Sequence, residues 1–176
     1  KVFKSLNLKN VELNVCSSTI IYGKKFDAVL GKTYEGLFNE CKNTKNVNYL
    51  SFLNNKKIIE LLKKMHIFAH PSVWPETSCI AAIEAMAAGC EVVTTNLGAL
   101  DETCSPFGTF VNFDKNFDNL EKEYSKVLSN SIKNYWSDEN QSKLELQRKT
   151  INKTYSWNTR SVEWKNFFDK ARKLKF

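Results

Sequence analysis

Histidine and methionine occur only twice each in this chain of 176 residues, proline three times and glycine six. Two histidines and five cysteines without a Cys-x-x-Cys spacing exclude the common structural zinc sites, which draw clustered thiolates and imidazoles from short intervals. No Asp-x-Asp pair occurs, and neither a metal nor another cofactor is expected. No apolar run approaches the ~20 residues that a membrane-spanning helix needs. Internal repeats and low-complexity linkers are lacking as well. The cysteines, Cys16, Cys41, Cys79, Cys90 and Cys104, are odd in number. They are expected to be reduced thiols of a cytoplasmic protein, free or peripheral at a membrane surface. The sequons at Asn140 and Asn152 read as chance occurrences without a secretion signal.

Lysine and arginine are missing from one third of the chain. Residues 1–64 carry twelve Lys/Arg against five Asp/Glu and residues 115–176 carry fourteen against eight, whereas residues 65–114 carry none against six. The net charge of +7 is therefore confined to pairs such as Lys56-Lys57 and Lys63-Lys64 and to the tail "KARKLKF". Solvated faces of amphipathic helices explain that distribution better than an anionic-surface or nucleic-acid patch, so no nucleic-acid partner is expected. The chain begins at Lys1 with no leader pattern, which predicts an internal boundary with something upstream.

What is present is an alternation. Strands are predicted at 11–18, 46–53, 66–72, 91–96 and 108–113, where β-branched and aromatic residues gather. Between them "NKKIIELLKKM" and "TSCIAAIEAMAAG" have helical spacing, the second ending at Gly89. Such alternation implies a parallel sheet with helical crossovers. From about residue 115 only helices follow, and Trp157, Trp164, Phe168 and Ala171 form a stripe that suits either core or a docking face for a segment outside this chain. The expectation is one domain over 1–176, with an α/β core at 1–114 and C-terminal helices at 115–176.

The alanine-rich helix from about Ser78 to Ala88 raises a sharper point. It is apolar on nearly every side, with Ile80, Ile83 and Met86 as packing residues, yet it carries Glu84. Burying an unpaired carboxylate costs several kcal/mol, roughly, so Glu84 needs a hydrogen-bonding neighbour or a polar cleft. Ahead of the helix, "HPSVWPETS" breaks the strand with two prolines, and Thr77 or Ser78 can cap the helix. Glu76 then lies on a turn at a strand's carboxyl end, where open parallel sheets bind ligands and helix N-termini favour phosphate. A carboxylate there suits sugar hydroxyls, and Glu84 suits a second diol. A nucleoside-diphosphate sugar offers both kinds of group.

The stretch "PETSCIAAIEAMAAGCEVVTTNLGALDE" resembles the donor-site signature of retaining, family-4-type (group 1) glycosyltransferases of the two-domain GT-B fold. Glu76 and Glu84 match its two spaced glutamates, and Gly98 and Glu102 match the loop after the next strand. The order of elements agrees over nearly the whole chain, including a "YSW" followed by a helix. The resemblance implies a Rossmann-like parallel sheet flanked by helices, the donor-binding half of such an enzyme, with the N-terminal acceptor domain elsewhere. It implies that Glu76 contacts the transferred sugar near the reacting carbon. Backbone amides of Thr77, Ser78, Cys79 and Ile80 would hold sugar and diphosphate, Glu84 the ribose hydroxyls, Leu97, Gly98 and Ala99 the cleft wall, and Ser51, Phe52 and Leu53 the nucleobase. The implied partners are a nucleotide-sugar donor and a glycan, lipid or protein acceptor, with no metal. Two features depart from the family pattern: Cys79 stands where glycine is usual, and the Arg/Lys that neutralise the diphosphate have no counterpart beyond Gly23-Lys24-Lys25. The competing expectations are another GT-B enzyme, such as a nucleotide-sugar epimerase or a phosphorylase-like protein, and a non-catalytic sugar-nucleotide binder or interaction module.

Overall fold

The computed structural model describes residues 1–6, 8–20, 23 and 31–173. Lys24, Lys25 and the last three residues of the basic tail lie outside them. The chain forms two compact units, residues 1–60 and 61–176. All five predicted strands are found, each shorter than expected and divided between a two-stranded and a three-stranded sheet.

The first unit holds α1 (Val2–Ser5), β1 (Leu13–Val15), α2 (Lys32–Asn43), β2 (Val47–Tyr49) and most of α3 (Asn55–Leu62). β1 and β2 run parallel, with Leu13 opposite Val47 and Val15 opposite Tyr49. Helix α2 is additional to the helices expected from periodicity. It sets Tyr34, Leu37, Phe38 and Cys41 at helical spacing, and Phe38 stacks on Tyr49 with ring centres 5.3 Å apart. These side chains share a cleft of about 810 Å³ with Val15 to Thr19 and Ser51 to Leu53. Ser51 sits at φ +55 although it is not glycine, a conformation that costs an L-residue roughly 1–2 kcal/mol.

The second unit contains β3 (Ile67–His70), α4 (Ile80–Ala88), β4 (Glu91–Thr95), α5 (Leu100–Cys104), β5 (Thr109–Val111) and three longer helices, α6 (Phe117–Asn134), α7 (Asp138–Thr154) and α8 (Trp157–Ala171). β4 is central, paired in parallel with β3 on one side and β5 on the other, and all five of its residues are buried. A strand covered on both faces reads as a continuous apolar or threonine run, as "EVVTT" does apart from its first residue. Ala82, Ala85, Met86, Leu100, Val111 and Tyr124 complete the core. The Tyr124 hydroxyl donates to the Val93 carbonyl at 2.7 Å, which secures α6 against the sheet.

Each long helix starts on a side-chain cap. The Asn116 side-chain oxygen accepts from the amides of Asp118 and Asn119, that of Ser137 from Asn140, and that of Ser156, inside the "YSW" element, from Thr159. The stripe on α8 is not core: Trp157, Trp164 and Phe168 are exposed, with Trp164 and Phe168 stacked on one another. Among the described residues no helix is long and apolar enough to cross a membrane. All five cysteines are free, with Cys79, Cys90 and Cys104 buried.

Glu91, at the amino end of β4, is the one buried carboxylate among the described residues. It accepts from Thr109 Oγ1 at 2.9 Å, Ser131 Oγ at 2.7 Å and Asn140 Nδ2 at 3.3 Å, and so ties β5, α6 and α7 to the central strand. Polar partners from three elements are what a buried carboxylate requires.

Candidate functional site

The carboxyl rim of the three-stranded sheet is organised by proline and by threonine. Pro71 and Pro75 end the ladder of β3 with β4, because neither has an N–H to donate and each fixes its own φ. The turn they create is held to β4 through its carbonyls: Thr94 Oγ1 donates to His70 O at 3.0 Å and Thr95 Oγ1 to Ser72 O at 2.7 Å. Ser72 Oγ donates to Trp74 O at 2.9 Å and closes the turn internally.

Glu76 follows, and its backbone pairs with Gly98 across an isolated parallel bridge, with Ala99 N–H donating to Glu76 O at 2.7 Å. Gly98 adopts φ +64, and a Cβ there would lie 2.5 Å from Glu76 O and 2.7 Å from Glu76 N. Only glycine allows the two backbones to approach so closely. The first glutamate and the glycine of the later loop are thereby brought together. Leu97 and Ala99 are half-buried beside them, whereas Glu102 is exposed on α5.

Helix α4 begins later than expected. Its N-cap is Cys79, in extended conformation at φ −104 and ψ 91, in place of Thr77 or Ser78. Those two residues and Ile80 are exposed on the rim, and Ile80 at 69% exposure is not the packing residue its sequence position suggested. The buried face of α4 is Ala82, Ala85 and Met86, and Ala81 is exposed, so the helix is covered on one side only. Its composition misleads because alanine is equally at home on either face. Glu84 is half-buried, one and a half turns below the cap.

The polar chemistry of the rim converges on His70. Its Nε2 lies 3.7 Å from Glu76 Oε1 and 3.8 Å from Cys79 Sγ, and its ring stacks on Phe68 at 5.6 Å and 16°. Burial raises the Cys79 thiol pKa; the amide of Ala82 pulls it down, Glu76 pushes it further up, and the amide of Ala81 again opposes. Net, the thiol is held protonated. Both His70 contacts use the same ring nitrogen, so the group is not a nucleophile, base and orienting-acid relay, which needs both nitrogens.

The opposite end of α4 is firmly anchored. Gly89, at φ +99, donates to Ala85 O and Met86 O in a left-handed cap. From α7, Gln147 Nε2 donates to Met86 O at 3.1 Å and Cys90 O at 2.8 Å, and Asn152 Nδ2 donates to Ala87 O at 2.9 Å. The sequence alone does not single out His70, Glu91 or Gln147, each of which acts through distant partners.

Of the remaining expected site residues, Ser51, Phe52 and Leu53 belong to the first unit and line its cleft, with Phe52 half-exposed. Lys24 and Lys25 lie outside the described residues. In the second unit the rim offers amides ahead of the first intrahelical bond of α4, Ile83 N–H to Cys79 O at 3.1 Å, together with the Glu76 carboxylate. Amides at a helix N-terminus suit an anion, and a carboxylate suits hydroxyl donors.

Comparison with known proteins bears on the fold and the family of the chain. The structure is similar to a glycosyltransferase from Rickettsia africae ESF-5, with a TM-score of 0.75 and 17% identity over 99% of this chain and 43% of that one. It is also similar to WaaG, a glycosyltransferase involved in lipopolysaccharide biosynthesis, with a TM-score of 0.53 and 17% identity over 94% of this chain and 48% of that one. The chain thus spans less than half the length of either structure. A search of curated proteins gave no match. The family described as glycosyl transferases group 1 matches residues 1–155, most of the chain, and the protein belongs to that family.

Proposed function

We propose that the chain is the donor half of a retaining GT-B glycosyltransferase and binds a nucleoside-diphosphate sugar at the carboxyl rim of its second unit. The observation that carries the reading is the Glu76–Gly98 backbone bridge, which fixes a carboxylate beside the exposed start of α4. Glu76 accepts hydrogen bonds from hydroxyls of the sugar that is transferred. Amides of Thr77, Ser78, Cys79 and Ile80 receive the sugar and diphosphate, and Glu84 takes the ribose hydroxyls. Leu97, Gly98 and Ala99 form the wall; Ser51, Phe52 and Leu53 line the cleft of the first unit.

Catalysis of this kind rests on positioning and on stabilising the charge of the departing diphosphate, without a nucleophile from the protein. The acceptor hydroxyl attacks on the face from which the diphosphate leaves, which preserves the anomeric configuration. Residues 65–114 contain no Lys or Arg, so the rim itself neutralises phosphate only through amides and the dipole of α4. The remaining cationic charge and the acceptor site, for a glycan, lipid or protein, are assigned to other parts of a longer enzyme.

The test is titration of the chain with UDP, GDP and their glucose, mannose and N-acetylglucosamine derivatives, followed calorimetrically. Saturable binding of one nucleotide that Glu84→Gln weakens without lowering the melting temperature supports the reading. Binding that is indifferent to both glutamates overturns the placement. In the complete enzyme Glu76→Gln is expected to reduce turnover more than tenfold, because a hydrogen bond to a charged group contributes about 1.5–3 kcal/mol.

A further inference from the structure

The rim carries a second chemical possibility, one that cysteine and histidine spacing in the sequence does not disclose. His70 from the end of β3, Glu76 from the turn and Cys79 from the cap of α4 place an imidazole nitrogen, a carboxylate oxygen and a sulfur within 4.8 Å of one another. Zinc bonds of about 2.0–2.3 Å in tetrahedral geometry set ligand atoms roughly 3.4–3.6 Å apart. The observed separations, 3.7 Å for His70 to Glu76 and 3.8 Å for His70 to Cys79, lie close to that spacing, and the Glu76–Cys79 pair, within 4.8 Å, closes to it by rotation of the Glu76 side chain.

We propose that His70 Nε2, Glu76 Oε1 and Cys79 Sγ form a binding site for a thiophilic divalent cation of the zinc type. Imidazole and thiolate favour zinc over magnesium or calcium, which take oxygen ligands. Three protein ligands on a partly exposed rim leave the fourth position open to solvent, the pattern of an accessible site and not of a closed structural one. The frame is rigid where it matters: the Phe68 ring backs His70, Thr94 fixes the His70 carbonyl, and the bridge to Gly98 fixes Glu76. On binding, the Cys79 thiol releases its proton to solvent as the sulfur–metal bond forms. The site stands on its own geometry. Its consequence rests on the glycosyl-transfer reading: a metal that holds the Glu76 carboxylate withdraws it from the sugar, so zinc is a reversible inhibitor that competes with the donor.

Cobalt(II) reports such a site spectroscopically without any donor. In a Cys16→Ser/Cys41→Ser background, which removes the more accessible thiols, cobalt is expected to give sulfur-to-metal charge-transfer and tetrahedral ligand-field bands that zinc displaces. Cys79→Ser should abolish the charge-transfer band, and His70→Gln should weaken cobalt binding by at least about tenfold, since even outer-shell partners of ligands are worth 10–100-fold. Zinc should also raise the melting temperature of the parent background and not that of Cys79→Ser, a comparison that holds even where a variant is less stable. Absence of the bands, or their survival in Cys79→Ser, overturns the proposal. Neither result depends on nucleotide binding, so failure here and failure of the donor reading are separable.

Discussion

At the scale of single residues, Gly98 is the most constrained position of the site. Its φ of +64 and the 2.5 Å that would separate an alanine Cβ from the Glu76 carbonyl oxygen leave no room for a side chain, and the atoms it would strike are backbone. Gly98→Ala is therefore expected to break the bridge, lower stability by about 2 kcal/mol and displace Glu76. Thermal melting measures the first effect and nucleotide titration the second; unchanged binding would dissociate the loop from the site. The two glutamates and this glycine are singled out in the sequence by their resemblance to the family's donor-site signature, and the structure brings Glu76 and Gly98 together. His70 is not singled out, because its relation to Glu76 and Cys79 depends on a proline-shaped turn whose path no periodicity specifies. Cys79 stands out in the sequence as a departure from the family pattern, but the N-cap it provides is expected of Thr77 or Ser78. Their hydroxyls are the better capping groups by propensity, and the turn geometry overrides it.

At the scale of elements, the five strands and the longer helices can be read from β-branched clusters and from helical periodicity, since both signals arise within a few residues. Helix α2 carries the same signal, with Tyr34, Leu37, Phe38 and Cys41 at helical spacing, although it is absent from the expected elements and buries none of these residues completely. The aromatic stripe of α8 is compatible by sequence with core or with a docking face, and the structure leaves it exposed. Glu91 is hidden for the opposite reason: a glutamate that opens a strand looks like a solvated end. Its three donors come from positions 18, 40 and 49 residues away. Glu91→Ala is expected to destabilise the second unit by about 3 kcal/mol, as it strands the hydroxyls of Thr109 and Ser131 and leaves Asn140 only its bond to Tyr135 O. A denaturant midpoint measures this, and a loss below about 1 kcal/mol, the worth of a single ordinary hydrogen bond, would show that the network is dispensable.

At the scale of the whole molecule, buried ionisable groups make stability depend on alkaline pH. Burial pushes the Cys90 thiol up to about 11, and burial with the neighbouring Cys79 and Asp101 pushes Cys104 up to about 12. The Tyr124 hydroxyl is raised too, first by burial, against an opposing hydrogen bond. Each group loses its proton more readily when unfolded, where a thiol titrates near 9.0. Their contribution is complete below that pH and disappears as pH rises through about 11 and about 12. The melting temperature is thus expected to fall steadily above pH 9.0, and a flat profile would contradict the burial of these thiols. The same burial predicts that an alkylating reagent modifies Cys16 first and reaches Cys104 only on unfolding.

Helix α4 is fastened most firmly at its carboxyl end. Gly89, Gln147 and Asn152 occupy the carbonyls of its last turn, while its first turn projects from a cap that lacks a side-chain hydrogen bond. Mechanically it is close to a cantilever, clamped in the core and, at the rim, exposed at Ile80 and Ala81. Amide hydrogens near Met86 should exchange with solvent slowly whatever is bound, and those of the first turn quickly until something fills the rim. A ligand seated there supplies the second support, so occupancy is recorded as stiffness over a single turn of helix.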